Sequence, residues 1–93
     1  MTTTVTLNED DQRYEIFVDG ELAGFTEAHP HGDIVTFPHT EIGPEFGGRG
    51  LATQLIQAAL DDVRARGKSV RAYCPFVRAF IEKHPAYQDL VAP

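Results

Sequence analysis

The first half of the chain alternates apolar and polar residues with the period of a β-strand, and the second half changes to the period of a helix. Thr4-Val5-Thr6-Leu7 is a β-rich run, followed by the polar turn Asn8–Gln12. Arg13-Tyr14-Glu15-Ile16-Phe17-Val18 largely alternates and leads into Asp19-Gly20, a dipeptide favoured in two-residue hairpin turns. Glu21–Glu27 then returns as the partner strand, and His29-Pro30-His31-Gly32-Asp33 reads as a further turn. Ile34–Ile42 reads as one longer extended strand, with Pro38, which has no N–H to donate, placing it at an edge or a bulge. An antiparallel meander is the economical arrangement of these runs.

The pattern changes at Gly43-Pro44. From Leu51 the apolar positions 51, 52, 55, 56, 58, 59, 60 and 63 form a helical stripe, closed by Arg64-Ala65-Arg66 and the stop signal Gly67. Ser69–Tyr73 is a short strand, and Pro75 suits the first position of a second helix with Cys74 at or beside its N-cap. That helix, Pro75 to Lys83, turns Phe76, Val77, Phe80 and Ile81 to one side before His84-Pro85 ends it. The tail Tyr87–Val91 is expected to add a last strand. The order is β-β-β-β-α-β-α, an α+β domain over residues 1–93, with a mostly antiparallel sheet flanked by two main helices.

Composition narrows the function more than the fold. Hydrophobic residues make up 42% and charged residues 24% of the chain, ordinary globular values that argue against disorder. No apolar run approaches the roughly 18–20 residues of a membrane span, and Met1-Thr2-Thr3-Thr4 does not read as the start of a signal peptide. The single cysteine, Cys74, excludes an internal disulfide framework and a multi-thiolate zinc site, so a reducing cytoplasm is the expected compartment. Residues 1–46 carry ten carboxylates against Arg13 alone, whereas residues 47–93 carry a net +3 within a total of −6. An acidic whole speaks against nucleic acid as a partner. The basic half could hold one small polyanion and the acidic half could attract a cation, although solvated surface charge explains both equally.

The most informative segment is Gly43-Pro44-Glu45-Phe46-Gly47-Gly48-Arg49-Gly50-Leu51-Ala52, which joins a strand to the first helix. Glycines there would let several amide N–H groups converge at a helix start, where the donors are unpaired and the dipole is positive. That is an anion cradle suited to a phosphate or pyrophosphate; the same cluster also suits a helix entry packed tightly against a strand. A Walker loop is excluded because no lysine precedes Lys68, and a dinucleotide fingerprint is excluded because the glycines follow antiparallel strands.

Pro44-Glu45-Phe46-Gly47-Gly48-Arg49-Gly50-Leu51-Ala52 followed by a Leu-rich helix resembles the acetyl-CoA signature of GNAT-type N-acetyltransferases. Gly50 and Ala52 match the last two fixed positions, and Gly47 stands where the family has Gln or Arg. His39-Thr40-Glu41, Pro44-Glu45, Cys74-Pro75-Phe76-Val77 and His84-Pro85-Ala86-Tyr87 extend the resemblance over nearly the whole chain, to the small stand-alone members of that family. The resemblance implies a GNAT-like fold that binds acetyl-CoA, with Ile42, Gly47, Gly48, Arg49, Gly50, Leu51 and Ala52 at the coenzyme. It also implies that the strand before the loop splays from its neighbour to admit the pantetheine arm. Arg49, Arg78 or Lys83 could meet the 3′-phosphate.

Transfer of acetyl to an amine needs a base and stabilisation of the thioester oxyanion. His39 and Glu41, two apart on the strand entering the loop, are the candidate bases, with surface packing as their plainer role. Cys74 at a helix start could accept the acetyl group, assist proton transfer or line the pocket. Larger family members carry a tyrosine acid seven residues beyond the position of Cys74; Ile81 stands there, and Tyr73 or Tyr87 could substitute. The expected activity is acetyl-CoA-dependent N-acetylation of a primary amine such as a polyamine, amino sugar, lysine or peptide N-terminus. An acyl-CoA-binding or sensing module is the alternative, and a plain interaction domain the third.

Overall fold

The computed structural model describes residues 2–93, so Met1, which opens the expected 1–93 domain, lies outside the described residues. β1 (Thr3–Asn8), β2 (Arg13–Val18) and β3 (Glu21–Glu27) form the antiparallel meander that the alternation predicts. Asp19 and Gly20 take φ of 50° and 83°, the positive pair that a two-residue hairpin turn with the right twist requires.

Between Glu27 and the glycine loop the structure departs from the pattern in two places. His29–His31 is a short strand, β4, rather than a turn; it pairs antiparallel with β5 (Ile34–Phe37) across Gly32-Asp33. Pro30 is tolerated because β4 is an edge strand, where no second neighbour asks for its missing N–H. The expected single strand Ile34–Ile42 is two strands in two sheets. β5 pairs in parallel with β7 (Ser69–Ala72), from Ile34 opposite Ser69 to Phe37 opposite Ala72. After Pro38 the chain leaves β7, and β6 (Thr40–Ile42) pairs antiparallel with β3. The result is a four-stranded sheet in the order β1-β2-β3-β6 and a three-stranded sheet in the order β4-β5-β7.

The helices follow the apolar stripe. α1 (Leu51–Ala65) buries Leu51, Leu55, Ile56, Ala59, Leu60 and Val63, and Gly67 closes it with φ of 70°. α2 (Pro75–Lys83) buries Val77, Phe80 and Ile81. Each of the larger of these side chains contributes about 1.5–3 kcal/mol when fully withdrawn from water. The tail is not the expected strand. Pro85–Leu90 is a 3-10 helix, and only Val91 reaches β7, bridging Val70 in parallel while the Ala92 N–H donates to the Val70 carbonyl at 2.8 Å. Side chains fix that outcome: Tyr87 donates to Asp61 at 2.8 Å, and Arg64 holds Asp89 through two bonds of 2.9 and 3.0 Å. Among the described residues no helix is long and apolar enough to cross a membrane.

One polar contact ties α1 to the meander. Tyr14, buried on β2 and stacked near Phe37, donates its hydroxyl to Asp62 at 2.6 Å, and Arg66 holds the same carboxylate at 2.7 Å. Burial first, then the bond to Asp62, raises the Tyr14 phenol above its ordinary value. Because the folded value lies above the unfolded one, the stability this group contributes is fully present below about pH 10 and is lost as pH rises beyond it. Tyr14→Phe is expected to cost about 1 kcal/mol at neutral pH and to flatten the loss of stability above pH 10. Urea unfolding at several pH values measures both effects; an unchanged alkaline slope in the variant would assign that slope to other groups.

Candidate functional site

Residues 43–50 leave β6 and enter α1 through a single turn of 3-10 helix at Pro44–Phe46. Phe46 is buried and anchors this loop, and the Arg49 guanidinium lies 5.7 Å over its ring. Gly48 and Gly50 take φ of 76° and 71°, a left-handed conformation that an L side chain adopts only with strain. Gly50 is the N-cap of α1, no side chain caps the helix, and the Gly50 carbonyl accepts from the Gln54 N–H at 3.2 Å. The amides of Leu51, Ala52 and Thr53 therefore have no acceptor in the helix, at the positive end of its dipole. Gly47, Gly48, Arg49, Gly50, Leu51 and Ala52, the residues expected at a coenzyme, all lie in this loop or in the first turn of α1.

Directly before the loop, β6 presents an open edge. The Glu27 N–H donates to the His39 carbonyl and the Gly43 N–H to the Ala23 carbonyl, both at 2.8 Å. Residues 39, 41 and 43 thus turn their backbone groups toward β3, and by alternation Thr40 and Ile42 turn theirs away from it. Among the described residues β6 pairs with β3 alone, because the pairing with β7 stopped at Phe37 and Ala72. The two strands part there, joined at the fork by the Tyr73 and Cys74 N–H groups, which both donate to the Phe37 carbonyl at 3.1 and 2.8 Å. An extended ligand entering between them would find the N–H and C=O of Thr40 and Ile42 along one wall and the amides of α1 at its mouth.

Side chains of β6 fall on two faces. Thr40 faces the core, where its hydroxyl lies 3.4 Å from the Cys74 sulfur and 2.8 Å from the Thr26 hydroxyl. Cys74 is 5% exposed and is the N-cap of α2 without capping it through its side chain. His39 and Glu41 share the opposite, solvent face; their Nε2 and Oε2 atoms are 3.5 Å apart, with side chains 51% and 61% exposed. Glu41 stands opposite Phe25, which stands opposite Glu15, and Arg13 lies 4.4 Å over the Phe25 ring. Strand and loop thus bring His39 to Glu41 and Cys74 to the same β6 segment, but the two groups approach it from opposite faces. Thr40 and Thr26 were not singled out from the sequence. The two-residue period puts Thr40 on the face opposite its neighbours, yet nothing local shows that Cys74 meets it.

The remaining candidates scatter. Arg78 is turned to the carbonyls of Ala72 and Tyr73 at 3.4 Å, beside the fork, whereas Lys83 ends α2 at the far side from Cys74. Ile81 is buried in the core, Tyr73 is 58% exposed next to Cys74, and Tyr87 is committed to Asp61. His29 sits between Gln12 at 2.7 Å and Glu27 at 3.0 Å on the edge of the sheets.

Gly24 on β3 permits the close approach of β6. A Cβ there would overlap the Glu41 carbonyl oxygen and the Ile42 side chain. Gly24→Ala is expected to destabilise the fold by about 1–3 kcal/mol and to displace the open edge. Urea unfolding checks the stability, and wild-type stability in the variant would show that β3 and β6 need no such contact.

Residues 13–90 match a family model described as GCN5-related N-acetyl-transferase. Over 57 residues the chain is 35% identical to Protein NATD1 of Bos taurus, covering 61% of this chain and 50% of that protein. The mouse protein of the same name is 33% identical over 57 residues, covering 61% and 52% respectively. The chain therefore spans about half the length of the curated relatives it matches. Among solved structures, a GCN5-like protein from Staphylococcus aureus aligns with a TM-score of 0.73 at 20% identity, over 96% of this chain and 87% of that one. PaiA N-acetyltransferase of Thermoplasma acidophilum, solved in complex with coenzyme A, aligns with a TM-score of 0.63 at 20% identity, over 76% and 48%. At such identities the structural likeness is one of fold.

Proposed function

The chain belongs to the GCN5-related N-acetyltransferase family and has its α+β fold, and on that premise we propose that it transfers an acetyl group from acetyl-CoA to a primary amine. The observation that carries this reading is the uncapped N-terminus of α1 standing at the mouth of the fork between β6 and β7. The donor set fits the coenzyme: amides of Gly48 to Ala52 suit a pyrophosphate, and the outward N–H and C=O groups of Thr40 and Ile42 suit the amides of an extended pantetheine arm. Because these contacts are backbone, Gly47 in place of a Gln or Arg side chain weakens the site without removing it. Acetyl-CoA supplies the activated acyl group.

The chain's own residues divide the proton chemistry between the two faces of β6. Glu41, assisted by His39 at 3.5 Å, takes a proton from the amine at its Oε2 on the solvent face. Phe25 beside them offers an apolar wall, and the surrounding carboxylates of the acidic half favour a cationic acceptor in solution. Cys74, at the fork, holds a proton on Sγ for the thiolate that leaves. A binding-only role is favoured by one feature: Ile81, wholly within the core, occupies the place at which larger family members carry a tyrosine acid.

The two readings separate by experiment. Acetyl-CoA or coenzyme A at about 1 mM is expected to raise the melting temperature, as a ligand that binds only the native state does. The absence of a shift counts against both readings. With a competent amine, thiol release is expected to fall by about 100-fold or more in Glu41→Gln and to fall in Cys74→Ala. A thermal shift without turnover across an amine panel selects the binding module.

A further inference from the structure

Two hydroxyls stand behind Cys74 among the apolar side chains of the core. Thr26 is wholly buried, and Glu15, another buried polar side chain, lies on the opposite face of the sheet with Arg13 and Asn8. Valine would fill the Thr26 volume without a polar atom to satisfy, and burying an unbonded hydroxyl is costly. The Thr26 hydroxyl meets the Thr40 hydroxyl at 2.8 Å, and that of Thr40 meets Cys74 Sγ at 3.4 Å. The three groups form one chain that runs from the β3 interior to the fork.

The chain can be read in either direction, since each hydroxyl carries one proton and two acceptor lone pairs. With Cys74 as thiol, Sγ–H donates to Thr40, and Thr40 donates to Thr26. With Cys74 as thiolate, the Thr40 hydroxyl turns to donate to Sγ, and the Thr26 hydroxyl donates to Thr40 in its place. Both protonation states of Cys74 find a bonded partner without movement of a heavy atom. A single hydroxyl could also turn, but the one behind it replaces the bond that the turn would otherwise forfeit. A hydrogen bond to a charged acceptor is worth more than one from a neutral thiol.

We infer that Thr40, backed by Thr26, is a positioning residue that stabilises the Cys74 thiolate and so governs how readily Cys74 releases its proton. The inference rests on the acetyl-transfer reading for its purpose. In that reaction Cys74 gives its proton to the departing thiolate: the S–H bond breaks at Cys74, an S–H bond forms on the coenzyme, and the charge stays on Cys74 Sγ opposite the Thr40 hydroxyl. Solvent then returns a proton to Sγ.

The chain has one cysteine, so the ultraviolet absorbance of thiolate, read against a Cys74→Ala blank, follows this group alone and needs no reagent to reach it. At the pH where the wild type is half ionised, Thr40→Val is expected to show roughly fivefold less thiolate, and to reach the same amplitude in the alkaline limit. Thr40→Ser is expected to restore the wild-type curve, and Thr26→Val to give a smaller displacement in the same direction. In turnover, Thr40→Val is expected to lower kcat while the KM for acetyl-CoA stays unchanged, with Thr40→Ser again restoring it. Circular dichroism confirms the fold, and Thr40→Ala replaces the valine variant should that one misfold. Coincident titrations in wild type and the hydroxyl-free variant would overturn the inference whatever the activity. A displaced titration with no acetyl transfer by the wild type would instead fault the reaction and leave the hydroxyl pair standing.

Discussion

The rest of the site depends on one backbone feature, the break after Phe37 at which an extended run passes from one sheet to the other. Ile34 to Phe37 are held by β7, and Thr40 to Ile42 are held by β3. A continuous ladder through residue 38 would keep β7 beside the chain as far as the glycine loop and close the gap at which the fork opens. Instead the pairing ends at Phe37, whose carbonyl takes both the Tyr73 and the Cys74 N–H. That doubled acceptor pins the start of α2 to the fork. The same event frees the edge of β6, since the strand keeps a neighbour on one side only.

The candidate bases His39 and Glu41 and the candidate thiol Cys74 sit close to that point, whereas Lys83 and Tyr87 do not. Three consecutive residues at the start of β6 and just before it supply His39 and Glu41 to solvent and Thr40 to the core, and Cys74 arrives from 34 residues away. The loop after β6 then has to reverse into α1 quickly, which Gly48 and Gly50 allow by taking positive φ. α1 is held by the side of it that is buried, from Leu51 to Val63, and its far end is tied by the Tyr14–Asp62–Arg66 contacts. A helix fixed along its length keeps its uncapped first turn in place, and preorganised donors avoid the ordering cost that a mobile loop would incur on binding an anion.

The helices and the first hairpin were legible in the sequence because their signals are local. Pro75 and His84-Pro85 bracket α2, and the apolar stripe from Leu51 with the stop at Gly67 brackets α1. Asp19-Gly20 announced its turn through conformational preference alone. The strand assignments that failed are the ones decided at long range. Ile34–Ile42 is extended throughout, and its division into two sheets depends on β7, which follows some thirty residues later and takes up only its first half. His29-Pro30-His31 has turn composition, yet it becomes a strand because an edge position asks nothing of Pro30. The tail was drawn into a 3-10 helix by Tyr87 and Asp89 finding partners on α1, contacts that no periodicity contains. The same division runs through the site: the shared face of His39 and Glu41 follows from a period of two, whereas the approach of Cys74 to Thr40 follows only from the fork.

The two departures from the larger family members, Gly47 for a Gln or Arg and Ile81 for a tyrosine, have a common physical reading. Each removes a side chain that would reach the coenzyme, and neither touches the backbone that would hold it. The amides of α1 and the outward edge of β6 are products of the fold, so they persist as long as the fork and the left-handed glycines do. Proton handling, by contrast, needs side chains, and here the fold offers a different set. The Ile81 side chain serves the core, while the sulfur of Cys74 lies at the fork with two hydroxyls in line behind it. A buried thiol given bonded partners in both protonation states can move a proton where an unsupported one would resist charging. The loss at Gly47 thus falls on binding, which the backbone can carry, whereas the loss at Ile81 falls on proton handling, and the proposed reaction turns instead to Cys74 at the point where β5, β6 and α2 meet.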